Sequence, residues 1–507
     1  MIWKTLILLL ITFLVVVIAE RNQPPLIGPY EYYCQANLTQ PIASDLISQG
    51  YKLEFVQIIT RHGDRTATAN PPMPVPNNDV SWECNLEQFG LPTVKDNTVS
   101  TSFGRMYRES YLEGRQTLPG DCRYGQLTAK GASQHITLGG AFAKSYVDHY
   151  NFLKKQFSPQ DTWVRSTDVQ RTLNSVEADL VGFFNASVHQ DVDEHYADRV
   201  RQLLPKLNHF ILSQLDVPTA HQLFDLSLDQ LLKKVDAMDD DVQATLTELI
   251  NIHSIDDNTD NMSPNTKLCP QLQTIYDQIQ ASPQLDQHFK ERDALRQEIA
   301  QLGFFGGDAA SVRINSFTDT IWPRICHGFD LPHGVNQSLF ERAWQWNTNQ
   351  YNWVWWGNKK ALPLAIGSFV GEIVNYFETY MNNRTMLPAE KLLYFSGHDS
   401  TIFPLTKSLG IWDGFWPPYA SHVELELWTP PNQPNNYMVR TLYNGEERVT
   451  SGCKSSLCAW DTWKAGIDWV IPENFLETCH SPYLRTADKI SEHRTHRIVD
   501  YNPKQTS

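Results

Sequence analysis

The chain has 507 residues and a formal charge of −15, with 41% hydrophobic, 11% aromatic and 20% charged residues. Such a length allows roughly three domains at about 150 residues each, or one large α/β domain carrying an insertion. The apolar content excludes wholesale disorder, and the acidic excess excludes a general nucleic-acid binder, which needs a Lys/Arg density that is missing here; a local basic pocket for an anion remains compatible.

Residues 1–19 carry one Lys at position 4 and then a continuous run from Leu6 to Ala19 that is apolar at every position but Thr12. That run fits the core of a signal peptide, about 7–15 residues, better than a spanning helix of about 20. Cleavage near Ala19 is expected, with an uncleaved signal anchor in the Golgi as the alternative. No later run reaches the ~18 residues of a membrane span, so none is expected after cleavage. Residues 21–50 and 67–100 are rich in Pro, Asn and Thr and read as loops. KLEFVQIIT (52–60) is predicted as a buried strand. A helix follows, with Thr128 as its cap and apolar positions at Ile136, Phe142 and Tyr146. TWV (162–164) is a short strand, and a helix carrying Leu173, Val176, Leu180 and Phe184 comes next.

From about 190 to 365 the texture is helical and acidic. A stripe from Leu228 to Leu249 has helical spacing, and Asp239–Asp241 reads as a solvated helix face. Trp344, Trp346, Trp353, Trp355 and Trp356 are assigned to helical core rather than to a substrate pocket. Strand character returns at KLLYFSG (391–397), HVELELW (422–428) and YMVRTLY (437–443). The clean alternation of HVELELW predicts one solvated face. The expected fold is α/β: a mostly parallel central sheet flanked by helices, with a helical cap insertion. The catalytic domain is assigned to residues 30–187 and 362–484, the cap to 188–361 and a polar tail to 485–507.

Eight cysteines (Cys34, Cys84, Cys122, Cys269, Cys326, Cys453, Cys458 and Cys479) behind a signal peptide predict disulfides, although eight allow 105 pairings. Only Cys453–Cys458 suggests itself locally, five residues apart in a Ser/Gly/Lys-rich loop. A metal site is disfavoured, since no CxxC pair or His cluster accompanies them. Glycosylation is expected at the sequons of Asn37, Asn185, Asn261, Asn336 and Asn383.

Three motifs each follow a predicted strand: Arg61-His62-Gly63-Asp64-Arg65-Thr66, Arg165-Ser166-Thr167-Asp168 and Gly397-His398-Asp399. Residues beyond the carboxyl ends of neighbouring parallel strands converge on one crevice. Arginines there can cradle the equatorial oxygens of a transferring phosphoryl group. A neutral imidazole can attack in line, and a carboxyl can protonate the departing alkoxide. No metal or other cofactor is required if the arginines neutralise the charge.

With these residues in hand, the sequence resembles the histidine acid phosphatases, in FVQIITRHGDRT (55–66), QLTAKGASQH (126–135), RSTDVQRTL (165–173), LYFSGHDSTI (393–402) and PPYASHVELELW (417–428). By that resemblance His62 is the nucleophile, Asp399 the proton donor, and Arg61, Arg65, Arg165 and His398 bind phosphate. Asp64, Asp168 and Arg171 are assigned to ion pairs and caps, and His135 and His422 to structure. Within the family, short motifs around several cysteines look like the 2-phosphoxylose phosphatase subgroup. That likeness implies Cys34–Cys479 and Cys84–Cys122, leaving Cys269–Cys326 and Cys453–Cys458. The implied activity is hydrolysis of a small phosphate monoester at acid pH in the lysosome or outside the cell. The alternatives are a Golgi sugar-phosphate or a lysophospholipid phosphatase and, from another class, a lumenal ligand-binding glycoprotein. No interface signature sets an oligomeric state.

Overall fold

A computed structural model describes residues 30–68, 80–84, 118–155, 157–185 and 250–482. The leader, the 228–249 stripe with its aspartate run 239–241, and the polar tail lie outside these residues. The eight-stranded sheet has the order β3-β2-β4-β1-β5-β6-β7, with β8 beside β6. The strands are β1 (Lys52–Arg61), β2 (Thr162–Ser166), β3 (Ile252–His253), β4 (Leu392–Gly397), β5 (His422–Thr429), β6 (Met438–Tyr443), β7 (Glu446–Glu447) and β8 (Leu457–Ala459). The sheet is mixed. β1, β2, β3 and β4 run parallel, whereas β5, β6, β7 and β8 add antiparallel pairings.

Central strands covered on both faces read as nearly continuous apolar runs, which is why KLEFVQIITR forms β1. Its Phe55 and Ile59 pack on one face and its Val56 and Ile58 on the other. One face is covered by α3 (Ala129–Phe142), its π-helical continuation Ala143–His149, and α4 (Gln170–Asn185). The other is covered by α9 (Gly367–Asn382), α10 (Asp399–Leu409) and α11 (Trp460–Ile467). Thr128 caps α3 as expected, accepting from the Gly131 amide. α10 begins instead with His398 as its cap, and Thr401 Oγ1 accepts from the His398 amide at 3.1 Å.

Helices also form where the 21–50 segment was expected to be loop: α1 (Tyr30–Cys34) and α2 (Ser44–Ser48). Past β3 come α5 (Pro270–Gln280), α6 (Asp286–Gln301), α7 (Ile314–Cys326) and α8 (Gln337–Trp353). α1, α6, α7 and α8 share a second apolar core that includes Trp344 and Trp346 and reaches Phe403, Trp416 and Tyr419 of the sheet domain.

β5 departs from expectation. Every residue of HVELELWT is buried. The alternation is present, with Val423, Leu425 and Leu427 on one face. The polar face is satisfied by protein instead of water: the His422 ring pairs with Glu424, while Glu426 accepts from Tyr146, Trp428 and Arg440. Paired burial of this kind leaves few charges unsatisfied.

The four disulfides are Cys34–Cys326, Cys84–Cys122, Cys269–Cys479 and Cys453–Cys458. The implied Cys34–Cys479 and Cys269–Cys326 are therefore corrected. α1 lies on α7 through the stacked rings of Tyr33 and Trp322, 4.0 Å apart, which carries Cys34 to Cys326. The Cys479 carbonyl accepts from the Gln271 amide at the start of α5, which sets Cys479 beside Cys269. Among the described residues no helix is long and apolar enough to cross a membrane.

Candidate functional site

Register assembles the site. Arg61 stands opposite Gly397 across β1 and β4, and Ser166 opposite Ser396 across β2 and β4. The parallel strands thus end level, and His62, Thr167 and His398 follow at the same rim. The turn after β1 sits tightly on α3, because a Cβ on Gly63 would lie 2.4 Å from the Gly131 carbonyl oxygen. His135 holds the turn from below: Nε2 donates to the Arg61 carbonyl at 3.1 Å, and Nδ1 faces the Asp179 carboxylate at 2.8 Å.

His62 is 1% exposed. Its Nδ1 lies 2.8 Å from the Gly63 carbonyl, an acceptor, so Nδ1 carries the hydrogen and Nε2 keeps a free lone pair. Burial, and then the charges of Arg171, Arg61 and Arg65, hold its pKa well below the usual histidine value. His398 is held down by burial and the same arginines. Its Nε2 contacts Thr167 Oγ1 at 2.9 Å, and its Nδ1 accepts from Arg171 Nη2 at 3.3 Å. The two imidazole rings meet edge to face, 5.5 Å apart.

The arginines are fixed by named partners. Arg61 donates to the Pro417 carbonyl (2.5 Å) and to Tyr33 Oη (3.2 Å), pairs with Asp399 Oδ2 (2.8 Å), and lies 4.5 Å from the centre of the Tyr419 ring. Arg65 pairs with Asp319 of α7 at 2.6 Å, and the same carboxylate accepts from the amide and hydroxyl of Thr68. Asp399 also accepts from Trp416 Nε1 at 3.2 Å and from the Ser400 amide at 2.9 Å. Burial pushes its pKa up, but Arg61 and Arg65 outweigh this and hold the carboxyl below its ordinary value.

Arg165 is not part of this cluster. It pairs with Phe395 in the sheet, two residues short of the rim, and it points to the face covered by α9. There it bonds Asp260 at 2.8 Å, Glu372 at 3.0 Å and Asn261 at 2.7 Å. The third arginine of the crevice is Arg171, in the first turn of α4, which the sequence reading left out. Burial and repulsion by Arg65 push its pKa down to about 10. A signal for it existed: an arginine in the first turn of a helix opposes the macrodipole unless an anion binds there.

Other expected roles fall as follows. Asp64 is buried and accepts from Thr128 Oγ1 and His327 Nε2, both at 2.6 Å, as a structural pair. Asp168 is exposed. Asn37, Asn336 and Asn383 are exposed, and Asn185 ends α4 with its side chain outside the described residues. At Asn261, by contrast, Nδ2 donates to Ser368 and Glu372 while Oδ1 accepts from Arg165. Both amide hydrogens are engaged, so the glycosylation expected there conflicts with the folded structure.

Among the described residues, the rim brings together the guanidinium groups of Arg61, Arg65 and Arg171, two imidazoles held neutral and the carboxyls of Asp399 and Asp319. A family model described as the histidine phosphatase superfamily (branch 2) matches residues 52–444. Similar proteins include Counting factor 60 of Dictyostelium discoideum, 28% identical over 88% of this chain and 92% of the relative. Lysophosphatidic acid phosphatase type 6 of Homo sapiens is 24% identical over 84% of this chain and 86% of its own. Lysosomal acid phosphatase of Bos taurus is 24% identical over 70% and 72%. These similarities replace the subgroup likeness to 2-phosphoxylose phosphatase. Among solved structures, the apo form of Hafnia alvei phytase aligns with a TM-score of 0.50 at 13% identity, covering 85% of this chain and 98% of that one, a likeness of fold.

Proposed function

The chain belongs to branch 2 of the histidine phosphatase superfamily, and from that premise we propose that it hydrolyses phosphate monoesters through a phosphohistidine on His62. The observation that carries this reading is the tautomer of a buried, uncharged His62: Nδ1–H is spent on Gly63, and Nε2 is free among three arginines. Arg61, Arg65, Arg171 and His398 bind the phosphoryl oxygens. Nε2 of His62 attacks phosphorus, the P–O ester bond breaks, and the leaving oxygen takes a proton from Asp399. Water then attacks the phosphohistidine, returns a proton to the Asp399 carboxylate and breaks the P–N bond.

The proton balance explains a preference for acid. With Asp399 ionised, the described side chains of the crevice carry three arginine charges against Asp399 and Asp319, 3 − 2 = +1. A substrate monoanion, abundant below its second pKa of about 6, can hand its proton to Asp399. The site then holds +2 against a dianion. His62 needs no alkaline pH, because burial and the arginines already keep it unprotonated.

Of the stretch assigned to 188–361, Ile252–His253 join the central sheet as β3 and α7 supplies Asp319 to the crevice, and we read the helices α6, α7 and α8 as a cap over it. Four disulfides support an oxidising compartment, and similarity to lysosomal acid phosphatase supports a lysosomal or secreted destination. The Golgi sugar-phosphate reading loses the support of the subgroup likeness.

The test is alkaline-quench trapping with a radiolabelled aryl phosphate. Label should appear on His62, in an acid-labile, alkali-stable linkage, and vanish in His62→Ala together with turnover. Label on another residue would refute the mechanism. Asp399→Ala should slow alkyl phosphates far more than aryl phosphates, whose leaving groups need no proton; equal losses would remove Asp399 from the role of acid.

A further inference from the structure

The carboxyl that faces the leaving group is also the point where the crevice turns apolar. Trp416 Nε1 donates to Asp399 Oδ2 at 3.2 Å, so the indole lies directly beside the position of the departing oxygen. Its ring continues into a cluster: Tyr351 meets it edge to face at 5.0 Å, and Trp356 packs at 5.7 Å against Trp416 and at 4.2 Å against Tyr351. Trp416 is buried, but Tyr351 and Trp356 keep part of their surface open. This separates them from Trp344, which sits inside the core shared by α1, α7 and α8.

Tyr351 ties this cluster to the polar centre. The charges that act on its hydroxyl are Asp399 and then Asp319, and Asn315 is its hydrogen-bond partner. A substrate group leaving past Asp399 therefore meets aromatic rings and two carboxylates. A second phosphate on the substrate would face those carboxylates, and among the described residues Arg61 and Arg65 already pair with Asp399 and Asp319.

We propose that Tyr351, Trp356 and Trp416 form a leaving-group subsite selecting monophosphate esters of apolar alcohols over polyphosphorylated ones. This rests on the phosphatase reading for its orientation, since Asp399 must face the departing oxygen. The occupant is the carbon chain or ring next to the ester oxygen, held by one-sided contact with the rings.

The experiment uses n-alkyl phosphates from methyl to hexyl, whose leaving-group basicity is nearly constant while apolar length grows. A fully buried methylene is worth about 0.8 kcal/mol, near fourfold. One-sided contact gives about twofold each, so kcat/KM should rise roughly 30-fold from methyl to hexyl. Trp356→Ala should flatten this slope to about a third of its logarithmic value, and myo-inositol hexakisphosphate should be a poorer substrate than hexyl phosphate. A slope that is flat or falls, or hexakisphosphate turned over as well as hexyl phosphate, overturns the proposal.

Affinity for the matching alkylphosphonates, measured by calorimetry on the full chain, reads the subsite without turnover. Affinity that rises with length supports the subsite even if no ester is hydrolysed, an outcome that would sink only the phosphatase reading. Affinity independent of length overturns the subsite whatever the turnover. Should Trp356→Ala fail to fold, Tyr351→Leu offers the second test of the slope, removing an aromatic face while retaining apolar bulk.

Discussion

Arg171 carries its charge into the first turn of α4, against the helix dipole and beside Arg65 and Arg61. A cation held so unfavourably is stabilised when an anion arrives, whereas Arg165 is already neutralised by Asp260 and Glu372. Replacing the two should therefore separate catalysis from stability. Arg171→Ala should lower kcat/KM by about 10²–10³, the usual cost of one transition-state donor, with little change in melting temperature. Arg165→Ala should leave the buried Asp260 and the half-buried Glu372 without a counter-charge and cost about 3 kcal/mol of stability, with kcat of the folded fraction nearly retained. Steady-state kinetics and thermal melts on both variants decide this; the reverse pattern would return Arg165 to the site.

A second expectation at this scale concerns pH. The His62 pKa is depressed, so its neutral form persists as pH falls through the usual histidine range. For an aryl phosphate, kcat/KM should hold or rise from pH 7 to pH 5 and decline only at lower pH. For an alkyl phosphate it should also fall on the alkaline side, because Asp399, held low by Arg61 and Arg65, depends on a proton brought by the substrate. A loss of aryl phosphatase activity between pH 7 and pH 5 would contradict the depressed His62. A chelator should leave turnover of the purified protein unchanged, since no step assigned here uses a metal.

Among the elements, β5 joins stability to acidity. His422 and Glu424 are fully buried and paired, and His422 also donates to the Asn37 carbonyl. Burial lowers the His422 pKa, but Glu424 outweighs it and the net shift is upward. A histidine raised in the folded state contributes stability that is complete below its unfolded pKa, about 6.5, and is lost as pH climbs through the folded value. His422→Gln should therefore lower the melting temperature most near pH 5, by the equivalent of about 3 kcal/mol. The gap to wild type should narrow toward pH 9. A gap that widens with pH would show that the pair is not ionised as described. The same strand shows what alternation can convey: HVELELW marks two faces, but it does not say whether water or a buried partner meets the polar one.

Across the whole molecule, α1 and α7 are joined by Cys34–Cys326, 292 residues apart in sequence. Tyr33 of α1 touches Arg61, while Asp319 of α7 holds Arg65. The bridge thus braces two arginine supports that lie far apart in the sequence. Replacing both cysteines by serine should cost about 2–5 kcal/mol of stability. It should also raise KM, because Asp319 and Tyr33 lose their common anchor. Melting curves and kinetics of the double variant test this, and an unchanged KM would show that α7 docks without the bridge.

The central strands, the helix capped by Thr128 and the rim positions of His62, His398 and Asp399 were legible from the chain alone. Each depends on local rules: apolar runs for buried strands, a hydroxyl at a helix start, and loops that follow strand ends. Strand order, the mixed direction of the sheet, the long-range disulfides and the exchange of Arg165 for Arg171 were decided by tertiary structure. Those features depend on which segments lie side by side and how far each strand runs before the rim. A two-residue difference in register turns an arginine from the crevice into the layer beneath α9, and nothing within RSTDVQRT alone measures that distance.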